Sequence, residues 1–206
     1  MSADPEPAAR PSKVELRRTR IRKDLATAAI QIMSEKGFEA TTIEDIARAA
    51  DYHRSSFFRY FASKEEAVFF GIPELTETFR RECAAIRCHD GERWPLVRDA
   101  LIRTVSSWTD QGDPELFSRQ FLLWNQDPGL EAPLASNLVT WSRIITDAFA
   151  PENRGTRDDL YAHLVGGALM STLRAAVESG GSPPRRFADR LEDACRMLED
   201  GLGRHP

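Results

Sequence analysis

Residues Asp51 to Phe61 read DYHRSSFFRYF: two arginines, two serines and a histidine interleaved with three phenylalanines and two tyrosines. Phe57 and Phe61 stand four apart, so on a helix they share one face and can pin it to a protein interior. Arg54, Ser55 and Ser56 fall in the first turn of the same helix. An arginine there can offer a bidentate pair to guanine, and serine hydroxyls suit phosphates or base edges. His53 precedes that turn, and Arg59 and the Tyr60 hydroxyl lie further along it within reach of a phosphate. Thr42 and Lys64 open the helices on either side, where free backbone N–H groups favour an anion. The chemistry these residue types suit is recognition of a polyanion by a helix whose other face is apolar.

Such a helix needs others to hold it. Ile21, Leu25, Ala28 and Ile32 form one amphipathic stripe that ends at Lys36–Gly37, where a glycine C-cap and a cationic last turn are expected. Thr42 with Asp45 three residues on is a weak capping box opening a second, short helix. Asp51 interrupts it, and a third helix starts near His53 or Arg54. Ser63 caps a fourth, with Glu65 and Glu66 in its first turn. Two short helices joined by a tight turn, the second one polar, basic and aromatic, are the sequence form of a helix-turn-helix. Beyond it, apolar residues three and four apart mark segments near 92–110, 114–126, 130–149, 157–179 and 184–200, with turn signals between them. Strand signals are nearly absent. The expected fold is all-α: a disordered arm over 1–12, a helix-turn-helix head over 13–70 and a helical domain over 71–206.

Composition bounds the remaining classes. The 206 residues have ordinary hydrophobic (41%) and charged (29%) shares. No apolar run is long enough to cross a bilayer and the start has no signal-peptide pattern, so a cytoplasmic protein with no membrane partner is expected. Cys83, Cys88 and Cys195 have neither metal nor redox spacing, and free thiols are expected. Cys88–His89 lacks the second ligand pair that a zinc site needs. Paired catalytic carboxylates, a nucleophile elbow and a phosphate loop are all missing, so neither an enzyme nor a cofactor is expected. Net charge is −4, yet Arg10 to Lys23 holds seven basic residues against Glu15 alone. On charge alone that stretch reads as a solvated face, with backbone or minor-groove contact to DNA as the alternative.

The run TTIEDIARAADYHRSSFFRYFASKEEA resembles the DNA-binding signature of the TetR family of transcriptional repressors, over roughly Arg20 to Phe70. Where that family has Gly-Val-Ser, this chain has Asp51-Tyr52-His53; Ser55 replaces a frequent glycine, and Phe58 a tyrosine that bonds phosphate. The resemblance implies a homodimer on a palindromic double-stranded operator, released by a small, mostly apolar effector. It places an effector pocket among the aromatic helices, with Trp108, Phe117, Gln120, Phe121, Trp124 and Trp141 as candidate lining residues, although spacing alone reads the aromatics as core. It places dimerisation on the last two long helices, with Gly166, Gly167, Met170, Phe187, Leu191 and Leu198 as candidates. The stretch from Phe121 to Ile145 also resembles C-terminal domains of regulators that sense acyl-CoA-like molecules. The residues themselves leave open a DNA-binding or architectural protein without an effector.

Overall fold

The computed structural model describes residues 12–88, 92–111, 113–149, 157–178 and 185–201, and every long regular element among them is an α-helix. The segment 1–11, expected to be disordered, lies outside the described residues, as does His89. The first helix, α1 (Lys13–Lys36), buries Leu25, Ala26, Ala29, Ile30 and Met33 and stops at Gly37, whose φ of 83° few other residues adopt. Helix α2 (Ile43–Ala49) starts on a complete capping box: Asp45 N–H donates to Thr42 Oγ1, and Thr42 N–H to the Asp45 carboxylate. The Thr42 hydroxyl donates to the Asp45 carboxylate at 2.8 Å, and this bond first, then the one from Thr42 N–H, holds the Asp45 carboxyl below its usual pKa.

The turn after α2 explains why aspartate can replace glycine there. Asp51 has φ 61°, the left-handed region that aspartate tolerates better than most residues. From it, Asp51 N–H reaches Arg48 O at 3.1 Å and Tyr52 N–H reaches Ala47 O at 2.8 Å, closing the end of α2. Helix α3 (Arg54–Phe57) follows, and its turns continue to Phe61 through Tyr60 N–H and Phe61 N–H bonds to Phe57 O. Helix α4 (Lys64–Val68) is capped by Ser63, which accepts from Glu66 N–H.

Among the described residues six longer helices follow: α5 (Ile72–Arg87), α6 (Arg93–Gln111), α7 (Pro114–Gln126), α8 (Glu131–Phe149), α9 (Arg157–Glu178) and α10 (Arg185–Asp200), with a 3-10 turn, Pro128–Leu130, before α8. Five of them match the spaced segments of the sequence; α5 is an addition. One hydrophobic cluster lies within α1–α4, around Leu25, Met33, Ile46, Phe57 and Phe61, and takes in Leu123, Trp124 and Leu130 from α7 and its end. The other lies among α5, α6, α8, α9 and α10, around Phe79, Leu101, Ile145, Leu169 and Leu191. The first cluster therefore crosses residue 70, and the head shares its interior with the body. All three cysteines are free; burial raises Cys83 to about 12 and Cys195 to about 11, while Cys88 is exposed.

Candidate nucleic-acid interface and effector cavity

The helix-turn-helix presents two faces of opposite character. Phe57 and Phe61 are fully buried with ring centroids 5.5 Å apart, and the Phe61 ring also meets the Arg22 guanidinium and Phe70. That contact fixes α3 against α1. On the opposite face His53, Arg54, Ser55 and Arg59 are exposed, and Ser56 and Tyr60 are half-buried. Arg54 lies 5.2 Å above the Phe58 ring. Phe58, ambiguous by spacing, is 47% exposed, so it belongs to the outer face and holds Arg54 there. His53 begins α3 without a side-chain cap bond, which leaves its imidazole turned to the outside.

Thr42 and Lys64 take different parts. The Thr42 hydroxyl is engaged with Asp45, so its first duty is the cap. The Lys64 ammonium donates to Phe38 O at 2.7 Å and Thr41 O at 3.4 Å and sits 4.0 Å from the Phe38 ring centroid. Two of its three protons thus tie α4 to the loop after α1, and a phosphate can claim only what remains. Tyr52, in the turn, donates to Asp24 of α1 at 3.3 Å. Burial first, then the Asp24 charge, raises its phenol pKa.

A cavity of about 80 Å³ opens among the body helices, lined by Phe69 just after α4, Ile72 at the start of α5, Trp108, Phe121, Trp124 and Trp141. Trp124 stacks on Phe69 at 5.0 Å and on Trp108 at 5.9 Å, and Trp141 stacks on Phe79 at 4.8 Å. Four of the six candidate lining residues (Trp108, Phe121, Trp124 and Trp141) meet there. Phe117 stands behind them, edge-on to Trp108 at 4.6 Å. Gln120 is directed elsewhere: its buried amide donates to Val68 O at 2.5 Å and Phe70 O at 3.3 Å. It is a clamp on the end of α4, a role that spacing cannot reveal. A second joint is Asp127, which accepts from Phe38 N–H at 2.5 Å and Gly129 N–H at 2.9 Å, while Arg22 pairs with Glu74 at 2.7 Å.

The sequence model described as "Bacterial regulatory proteins, tetR family" matches residues 25–68, and the "MftR C-terminal domain" model matches residues 92–203, more than half of the chain. The chain belongs to the TetR family. Among relatives of this TetR protein, TcmR of Streptomyces glaucescens is 36% identical over 124 residues, covering 57% of this chain and 53% of that one. MftR of Mycobacterium tuberculosis is 25% identical over 169 residues, 81% of this chain and 83% of that one. Both are named as transcriptional regulators. The solved SmeT–triclosan complex superposes with a TM-score of 0.56 at 16% identity, covering 78% and 79% of the two chains. At that identity it shows a shared fold. Regulators of this family bind DNA, and the match over residues 25–68 covers the helix-turn-helix.

The dimer candidates of this TetR chain differ in burial. Met170, Phe187 and Leu191 are buried inside the chain's own core, and Leu198 is half-buried. Gly166 faces α8: a Cβ there would lie 2.6 Å from Thr146 Oγ1 and 2.7 Å from Ser142 O. Its lack of a side chain serves the α8–α9 contact within the chain. Gly167 differs, with nothing within 4 Å. Together with Leu160 and Leu164, 61% and 62% exposed, it forms an apolar stripe at i, i+4 and i+7 on the outer face of α9. Sequence spacing missed that stripe because both faces of α9 are apolar. No described helix is long and apolar enough to cross a membrane.

Proposed function

We propose that the chain is a homodimeric repressor whose α3 helices enter successive major grooves of a palindromic operator, and that a small apolar molecule in the aromatic cavity releases it. Arg54 and Ser55 read base edges; Ser56, Arg59 and Tyr60 reach phosphates, with His53 beside them. The partner copy packs on Leu160, Leu164 and Gly167, where a glycine lets two backbones approach. The observation that carries ligand control is the cavity's position: Phe69, at the end of the head, and Ile72, the first residue of α5, are two of its walls.

Cavity size supplies the mechanism. About 80 Å³ is well below the roughly 300–1,000 Å³ of drug-sized ligand sites, so an effector must spread the walls. Spreading Phe69 from Trp124 moves the chain just after α4, which Gln120 grips. An effector preferring the moved head by about 1–3 kcal/mol lowers operator affinity by one to two decades. The flat, stacked walls favour a planar aromatic molecule over a long acyl chain. The Trp124 indole N–H is buried with no acceptor among the described residues, so a ligand oxygen there would satisfy it.

Selection of bound fragments from genomic DNA gives the operator; titration of a panel of aromatic and acyl compounds into that complex then tests control. The expected result is saturable release by an aromatic member. Unchanged affinity across the panel would refute effector control and favour a regulator without a ligand.

A further inference from the structure

The first two turns of α1 form a surface that nothing else in the described chain covers. Residues 12–20 are all exposed, so no packing rewards helix there. Yet the helix begins on a complete capping box: Glu15 N–H donates to Ser12 Oγ at 3.2 Å, and Ser12 N–H to Glu15 Oε2 at 2.7 Å. The sequence thus specifies helix in a stretch that, alone in water, would only marginally form one. The same box draws the stretch's one acid back onto the helix start, leaving the cations uncompensated.

Those cations are ordered. Lys13, Arg17 and Arg20 recur at i, i+4 and i+7 and share one face. The next member of that stripe is Asp24, which accepts the Tyr52 hydroxyl in the turn between α2 and α3. The stripe therefore runs on the side of α1 that looks toward the helix-turn-helix turn, over about 16 Å at 1.5 Å per residue. No carboxylate lies within 4 Å of any of the three among the described residues, whereas Arg22, two residues after Arg20, is paired with Glu74. Val14 and Leu16, the exposed apolar residues of these turns, are two apart and so point to nearly opposite sides. No apolar stripe is left for a lipid surface or a partner helix.

We propose that Lys13, Arg17 and Arg20 grip the sugar-phosphate backbone of the DNA flanking the bases met by α3, adding affinity that does not depend on sequence. This rests on the reading that the α2–α3 face docks on duplex DNA. The test compares the full-length chain with K13Q/R17Q/R20Q on the selected operator duplex and on a random-sequence duplex, across a salt series. Each lost phosphate contact lowers the slope of log affinity against log salt by about 0.9, so a reduction of about 2–3 per protomer is expected. Binding to both duplexes should weaken by the same factor, about tenfold or more at low salt. The charge-keeping K13R/R17K/R20K variant should retain the wild-type slope, and circular dichroism should show equal helix in all three.

An unchanged slope in the glutamine variant, with wild-type binding intact, overturns the proposal and leaves DNA recognition by α3 standing. Loss confined to the operator duplex overturns it too, since that would mean base readout. Capture of the wild type by anionic lipid vesicles with no change in DNA slope would assign the stripe to a membrane instead. Failure of the wild type to bind any duplex defeats the docking reading itself.

Discussion

Several arginines on the head's outer face and several in the body are treated in opposite ways, although Arg22 and Arg48 of the head are paired with Glu74 and Asp45. In the body, Arg98 lies between Asp99 and Glu199 at 2.7 and 2.6 Å, Arg103 meets Glu82 at 3.0 Å, Arg119 meets Glu115 at 2.7 Å, and Arg196 reaches Glu192 and Asp193. In the head, Arg17, Arg20, Arg54 and Arg59 are exposed with no carboxylate within 4 Å among the described residues. A cation already neutralised within its own chain has little to offer a phosphate. Hence a net charge of −4 says almost nothing about DNA binding; what matters is which charges the fold leaves unspent.

The contrast holds only while the head's interior keeps its outer face in place, and that is where it breaks most easily. Phe61 is 1% exposed and contacts Phe57, Phe70 and Arg22. Phe61→Ala should cost about 3–5 kcal/mol, measured by denaturant unfolding, and DNA binding should fall with it although no outer residue has changed. A next-largest effect should separate two adjacent glycines in the body. Gly166→Ala meets backbone at 2.7 Å and should destabilise by about 1–3 kcal/mol, while Gly167→Ala meets nothing and should leave the monomer as stable or slightly more so. If α9 pairs with a partner copy, sedimentation should show Gly167→Ala weakening the dimer.

Smaller still is the direct comparison of two arginines. Arg54→Ala should cost about 1–3 kcal/mol of preference for the operator over a one-base mismatch, with the melting temperature unchanged. Arg119→Ala removes an exposed pair worth about 0.2–1 kcal/mol and should leave operator binding alone. Equal effects on binding would erase the distinction between spent and unspent cations.

Local signals made the head legible. Thr42, Ser63, Gly37 and Asp51 each act within four residues of themselves, so their caps and turn could be read directly from the chain. The face of an element was harder to read. Phe58 could be placed only once Phe57 and Phe61 were seen to fill the interior. Helix α9 has apolar residues on both sides, and spacing cannot say which side meets α8; Gly166 and Gly167 are neighbours with opposite fates. Gln120 and Asp127 bond to backbone groups more than fifty and eighty residues away in sequence, respectively, and no local pattern encodes such partners.

One carboxylate in the body shows a charge used within the chain. Glu199 on α10 accepts from Trp94 Nε1 and Arg98 Nη1, both at 2.6 Å, and these bonds, Trp94 first, hold its carboxyl below the usual range. A carboxyl lowered on folding adds stability above its unfolded pKa, near 4.5, and loses it as pH falls through the folded value. Glu199→Gln should therefore lower the melting temperature by about 1–3 °C at pH 7, the size expected of a partly exposed pair. That difference should shrink toward zero as the two proteins are melted at successively lower pH below 4.5. Operator affinity at pH 7 should not move, because the charge removed was already matched inside the body. A variant that altered the salt slope of DNA binding would show instead that the body's charges reach the operator and that the division between the two regions is not electrostatic.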